Sequence, residues 1–429
     1  MRVRAAGARL GADSHFATQR FGERLASWML RPFLDLGRFS EGPLYARGIE
    51  EYWRAFAQPE TPVFSLQRTL PVGFRLQLVE EAGRPEYAVS DPRQLPKPLR
   101  TPRWQAVCDA LGRWRSLPDE HRLRLVMLLH SLCLYEPVLA HVPARSPERR
   151  AGPDAVELAY WRASARYVLG LPNRVADYRA ADMSVFEAIA ERRPDAVPAA
   201  FNAAVKVFVH SAKVGAPLDV LERRAARMER IHADTVARAD DFTADLLTSR
   251  FYRALALLPQ RRGRRAQAVR LMDLAERHAR ALRPATPAQD LMYLENLHPV
   301  MESRAKEALW LGDLELALAR ALEVTQLDPY DSKAWVELGQ VHRARKEWAL
   351  AAEAYVIAGM LGPPASAIGR HMAALCFGEL GQPALAAFLF KEALEVDPLG
   401  ISPRDGIGKL PDLAVLHALK EWSRRTVKL

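Results

Sequence analysis

Three short segments of this 429-residue chain repeat one another at a fixed interval. Ala317-x3-Ala321 stands twelve residues before Pro329, Ala351-x3-Tyr355 twelve before Pro363, and Ala386-x3-Phe390 twelve before Pro398. The leading alanines are spaced by 34 and then 35 residues. Gly312 and Gly381 each fall five residues ahead of their alanine, and QLDP (326–329) matches EVDP (395–398). A unit of this length is one pair of antiparallel helices, with the glycine at the turn between them. Such a pair cannot bury its apolar face alone, so the units must stack on one another.

The stretch from Ser332 to Pro363 is the best preserved, with Trp335, Leu338-Gly339, His342, Ala351, Tyr355 and Pro363 at defined spacings. Gly339 and Ala351 let two backbones approach, while Trp335, Leu338 and Tyr355 fill the space between neighbouring pairs. This pattern, W-x2-L-G-x2-Y, then A-x3-F, then P, resembles the tetratricopeptide repeat, with His342 and Tyr355 where Tyr and Phe are preferred. Residues from about 298 to 400 resemble three such repeats. The first is degenerate, with Met301 and Ala305 in place of the Trp and Gly, and the third has Arg370 and Ala374 there. Pro411 to Arg425, with Leu413, Leu416, Leu419 and Trp422 on one side, resembles a closing cap helix. The resemblance implies a mainly α fold, a right-handed α-solenoid of helical hairpins.

Elsewhere the pattern is helical, with one exception. Phe21, Leu25 and Trp28 mark one early helix, and Tyr45, Ile49, Trp53 and Phe56 a second. Val72, Phe74, Leu76 and Leu78 then alternate with small or polar residues, and Glu86 to Val89 offers a return strand, which predicts a small β-hairpin insertion. The proline-rich SDPRQLPKPLRTP (90–102) follows as an extended connector. From Trp104 the helical period resumes, with Ser184 and Glu187 expected to cap one helix. Four regions result: 1–103, a helical region at 104–215, Arg-rich hairpins without the repeat signature at 216–297, and the repeat array with its cap at 298–429.

A formal charge of +10 and a pI near 9.6 permit contact with nucleic acid, anionic lipid or an acidic protein, and select none of them. Cys108, Cys133 and Cys376 are far apart and odd in number, which excludes a disulfide framework and a Cys-x2-Cys zinc site and suits a cytoplasmic setting. The basic N-terminus has no apolar core of a secretory signal. No stretch approaches the ~18 apolar residues of a membrane span. DGIGKL (405–410) lacks the full phosphate-loop pattern, and His130 with Cys133 reads as core; no cofactor or metal is expected.

By the resemblance, a protein or peptide segment, possibly acidic, binds in a groove lined by the first helix of each repeat. The groove positions are Lys333, Val336, Gln340 and Arg343, then Ile368, His371, Leu375 and Glu379. The Lys/Asn/Arg set by which some relatives grip a terminal carboxylate is missing. The expected function is a non-catalytic adaptor. Two other readings stand beside it: an enzyme or accessory subunit with its site in 1–215, and a nucleic-acid-associated regulator using the Arg-rich helices at 218–283.

Overall fold

The computed structural model describes residues 91–94, 102–131, 134–144, 151–170, 181–193, 197–327, 331–361 and 366–396. The expected β-hairpin, the two early helices, the cap helix, Cys133 and DGIGKL lie outside these residues. Among the described residues every regular element is helical. Sixteen α-helices follow in order: α1 (Pro102–Gly112), α2 (Asp119–Ser131), α3 (Tyr135–His141), α4 (Pro153–Gly170), α5 (Ser184–Arg192), α6 (Val197–Lys213), α7 (Leu218–Val236) and α8 (Asp241–Leu255). Then come α9 (Leu257–Arg261), α10 (Arg265–Ala281), α11 (Pro287–Leu311), α12 (Leu314–Leu327), α13 (Ser332–Ala344), α14 (Trp348–Leu361), α15 (Ser366–Glu379) and α16 (Pro383–Val396).

Local chemistry sets the helix starts. Asp240 accepts from the Thr243 amide at 2.9 Å ahead of α8. Thr286 accepts from Gln289 N–H at 3.2 Å, the Gln289 side chain reaches back to Ala285 N–H at 2.8 Å, and Pro287 opens α11 without a wasted donor. Asp331 caps α13 through Lys333 N–H at 3.0 Å. At α5 the expected Ser184 cap is replaced: Asp182 accepts from both the amide and the hydroxyl of Ser184, being one residue too early to cap the first turn itself.

One turn recurs through the chain. Glycine adopts the left-handed conformation at 215, 263, 312 and 381, with φ between 69° and 85°. Lys346 takes the same position in the middle repeat at φ 59°. After each of them the next amide bonds back five residues: Ala216 to Ser211, Arg264 to Pro259, Asp313 to Ala308, Glu347 to His342 and Gln382 to Phe377, at 2.8–3.0 Å. This is a Schellman ending, which satisfies the last helical carbonyls and reverses the chain. It closes five successive hairpins: α6/α7, α8–α9/α10, α11/α12, α13/α14 and α15/α16. The Arg-rich region is thus built from the same unit as the three repeats. α11 runs unbroken through residues 297 and 298, where the sequence pattern placed the edge of the array.

The hairpins stack in two rows. The front helices α4, α6, α8, α11, α13 and α15 each pack on the next of their row, whereas the back helices pack chiefly on front helices. Rows of unequal spacing curve toward the closer one, so the front row lines the concave side. One core runs from Val107 to Phe390, with Trp161, Phe186, Phe201, Phe208 and Tyr355 fully buried in it. A second cluster joins the repeats through Ala305, Ala308, Ala317, Ala321, Leu338, Val341 and Ala354. The tightest contact is between α14 and α15: a Cβ on Gly369 would lie 2.5 Å from Gly359 N and 2.7 Å from Tyr355 O.

Candidate functional site

Four front helices bring cations to one place on the concave side. α6 supplies Lys206 and Lys213, which are seven residues apart and therefore on one face. α8 supplies Arg253, α11 Lys306 and α13 Lys333. Glu302 and Glu337 are the acids among them. Lys306 Nζ lies between these two, 2.5 Å from Glu302 and 2.9 Å from Glu337, and so ties α11 to α13 across the concave surface. Below this bridge, buried His298 stands 3.4 Å from Asp331.

The electrostatics bind the group into one unit. Burial would raise the Glu302 carboxyl, but Lys306, Lys333 and His298 outweigh it and hold it well below the carboxylate range. Burial opposes the Lys306 charge, and Glu302 and Glu337 overcome it, so Lys306 stays protonated far above the usual ammonium range. Lys206 and Lys213 go the other way. Loss of hydration, then repulsion from Lys333 and Lys213, brings Lys206 down to about 7. The protein around Lys213 strips part of its hydration, and Lys306, Lys333 and Arg253 repel it, to about 8, although its side chain remains exposed to solvent within the concavity. Arg253 is lowered by desolvation, with Glu302 as its opposing partner.

Lys206 sits on an aromatic floor. Its ammonium is 4.9 Å from the ring centre of Tyr167, 5.0 Å from Phe186 and 5.8 Å from Tyr160. It donates to Ser164 Oγ at 3.0 Å, and Ser164 lies 3.2 Å from Nε2 of His130. His130 is packed edge-on between Tyr135 and Trp161, and burial drops it to about 3, so it is neutral. His130, Ser164 and Lys206 thus form one line of polar contacts among the described residues. Ser164 is 4% exposed, which leaves no path for a substrate carbonyl, so the arrangement serves to hold Lys206. Among the described residues no cluster of three metal-ligating side chains occurs.

The residues expected to line the groove divide. Lys333, Arg343 and Glu379 are exposed, and Gln340, Ile368 and Leu375 are half-buried. Val336 is buried in the main core, and His371 is buried against Phe390 at 5.4 Å. Both are turned into the packing between hairpins, because their spacing falls on the inward stripe of their helices. Lys333 joins the cation group. Lys206, Lys213, Arg253 and Lys306 were missed because they lie on helices with no repeat signature or in its degenerate first unit. The one available signal was the i, i+7 pair of lysines on an otherwise apolar α6.

Part of the Arg-rich region is paired with carboxylates. Arg224 and Arg227 of α7 pair with Glu187 and Glu191 of α5, and Arg262 pairs with Glu222. Arg304 engages Asp273, Glu276 and Glu307, and Arg320 lies 3.6 Å from Glu276. Arg265 lies over the Trp310 ring at 5.3 Å. Arg230, Arg238, Arg261, Arg264, Arg270 and Arg277 are exposed and make no ion pair among the described residues.

No protein-family model matches the chain, and no curated protein matches it. Solved structures that match the chain include YrrB, described as a TPR protein with an unusual peptide-binding site, at 13% identity, covering 52% of this chain and 98% of that one with a TM-score of 0.30. The Cut9-Hcn1 hetero-tetramer of the APC/C matches at 14% identity over 96% of this chain and 87% of that one, with a TM-score of 0.27. A human IFIT1 dimer with m7Gppp-AAAA matches at 11% identity over 91% and 96% of the two chains, with a TM-score of 0.41. On spacing, turn geometry and packing, residues 287–396 are three tetratricopeptide-type hairpins in an α-solenoid.

Proposed function

We propose that the chain is a non-catalytic adaptor that holds an acidic protein or peptide segment along its concave face. The observation that carries this reading is the electrostatic coupling of Lys206, Lys213, Arg253, Lys306 and Lys333 from four helices, with Glu302 and Glu337 among them. A preformed surface of stacked hairpins lowers the ordering cost of binding, and an excess of one sign of charge speeds encounter with the opposite sign. Gln340, Arg343, Ile368, Leu375 and Glu379 extend the contact surface toward α15, while Val336 and His371 support it from within.

The test is the anisotropy of a labelled peptide containing six aspartates, titrated with the full chain. Lys333→Glu/Arg343→Glu is expected to weaken binding at least ~10-fold, because two exposed positive charges are reversed at the rim. Equal binding by wild type and the double variant, or none by either, overturns the adaptor reading.

A further inference from the structure

From Pro259 to Met272 the chain carries five arginines and no carboxylate. The left-handed turn at Gly263 folds this run back on itself, with Arg264 N–H donating to Pro259 O at 2.8 Å. Arg262 is taken by Glu222 of α7. Arg261, Arg264 and Arg265 are exposed around the turn, and Arg270 and Arg277 are exposed along α10; none of these five makes an ion pair among the described residues. Contacts to the neighbouring hairpins fix two of them. Arg261 donates to Ala216 O at 3.4 Å, and the Arg265 guanidinium lies over the half-buried Trp310 ring, 5.3 Å from its centre. Stacking uses the face of a guanidinium and leaves its in-plane donors for an anion. Arg270 and Arg277 are seven residues apart, so they share one face of α10 about 10 Å apart along its axis.

The acids of α10 do not offset this charge. Asp273 and Glu276 are each held 3.0 Å from Arg304 of α11, and Arg280 takes Glu276 as well, at 2.9 Å. A Cβ placed on Gly263 would meet nothing within 4 Å, so the apex of the turn is open. We infer that Arg261, Arg264, Arg265, Arg270 and Arg277 form a strip on the back row that holds the phosphodiester backbone of a nucleic acid. Such a polymer carries a charge at every unit and needs no apolar contact to bind. A protein partner needs an apolar or aromatic anchor at the centre of its interface, and a lipid surface needs apolar side chains to insert. The strip offers neither: besides arginine, the exposed residues between 260 and 270 are Gln260, Gly263 and Ala266. Arginine forks match phosphate oxygens in pairs, and contacts of this kind position a strand without reading its bases. The strip lies on the opposite row from the concave group, and the inference does not rest on the adaptor reading.

The test is the anisotropy of two labelled probes, a twenty-nucleotide thymidine strand and a mixed-sequence duplex of equal length, titrated with the full chain across a salt series. At least one is expected to bind, and the tighter of the two identifies the form of backbone that the strip takes. Arg261→Gln/Arg264→Gln/Arg265→Gln is expected to weaken binding at least ~10-fold at low salt and to reduce the slope of log affinity against log salt by about 2, at 0.7 to 0.9 for each lost phosphate contact. The matching triple change to lysine restores most of the slope, because the charge returns. Arg113→Gln/Arg115→Gln, exposed ahead of α2, leaves affinity within about twofold. The six-aspartate peptide keeps its affinity for the triple glutamine variant, since its contacts lie on the concave side. Failure of both nucleic acids to bind, or binding with an unchanged slope in the triple glutamine variant, overturns the inference. Loss of the six-aspartate peptide in that variant, with displacement of the strand by the peptide, assigns the strip to an acidic protein and overturns it too. Sedimentation with vesicles of phosphatidylcholine and phosphatidylserine in equal parts, abolished by the same variant and not competed by either nucleic acid, overturns it in favour of a lipid surface.

Discussion

Lys206 is a residue placed at the expense of stability. Its folded value of about 7 lies below the ordinary lysine value of 10.5, so the unfolded chain holds the extra proton between these limits. Stability from this position therefore rises with pH between 7 and 10.5 and is lost as pH falls through 7. Lys206→Met is expected to raise stability by about 1–2 kcal/mol at pH 6, a gain that closes by pH 10; urea unfolding at both pH values measures it. A lysine kept only for structure gives the opposite sign, because its removal then loses the Ser164 bond and the ring contacts. Lys346 carries a smaller strain. It holds the turn position taken by glycine in four other hairpins, and its Cβ meets the following carbonyl at φ 59°. Lys346→Gly is expected to raise stability by about 1 kcal/mol, read as a shift of the denaturant midpoint with an unchanged slope.

At the scale of the helix pair, packing is decided by where a side chain is absent. Gly339 faces the buried ring of Tyr355, where a new Cβ would lie 2.7 Å from a ring carbon, so only rotation of that side chain makes room. Gly369 faces the backbone of α14, which has no such freedom. Gly369→Ala is therefore expected to lower stability by at least ~3 kcal/mol and Gly339→Ala by about 1–2 kcal/mol, compared by thermal and urea unfolding. The sequence made the first glycine readable, because it sits in a known pattern beside Trp335. Gly359 and Gly369 were not readable, since nothing in one strand of letters tells which two helices cross there. The same holds for the turns at Gly215 and Gly263. Their spacings to the next turn, 48 and 49 residues, do not match the 34 and 35 of the array, so a search by period passes over them. Geometry is conserved in those hairpins where length and composition are not. Arg370 shows the reverse case: it stands in the Trp position of its repeat and is 2% exposed, so a charged letter occupies a core place.

Over the whole molecule, the fold was legible where small residues recur and illegible where the chain had freedom to satisfy the same contacts differently. The site was legible in part. Lys333 was found from its repeat, but Lys206, Lys213 and Arg253 meet it only because stacking brings residues from 80 to 127 positions away onto one surface. Binding of the six-aspartate peptide is expected to weaken steeply between 50 and 300 mM salt, since all five cations are exposed or half-exposed and bulk ions screen them within about 10 Å. Salt-independent binding would place the contact on the apolar residues near Leu375 instead, and anisotropy across the salt series distinguishes the two.

Because each front helix contributes only one or two charges, the distance between those charges is set by how tightly the stack is wound. Residues so placed have a mutual spacing that belongs to the stacking of the hairpins and to no single helix.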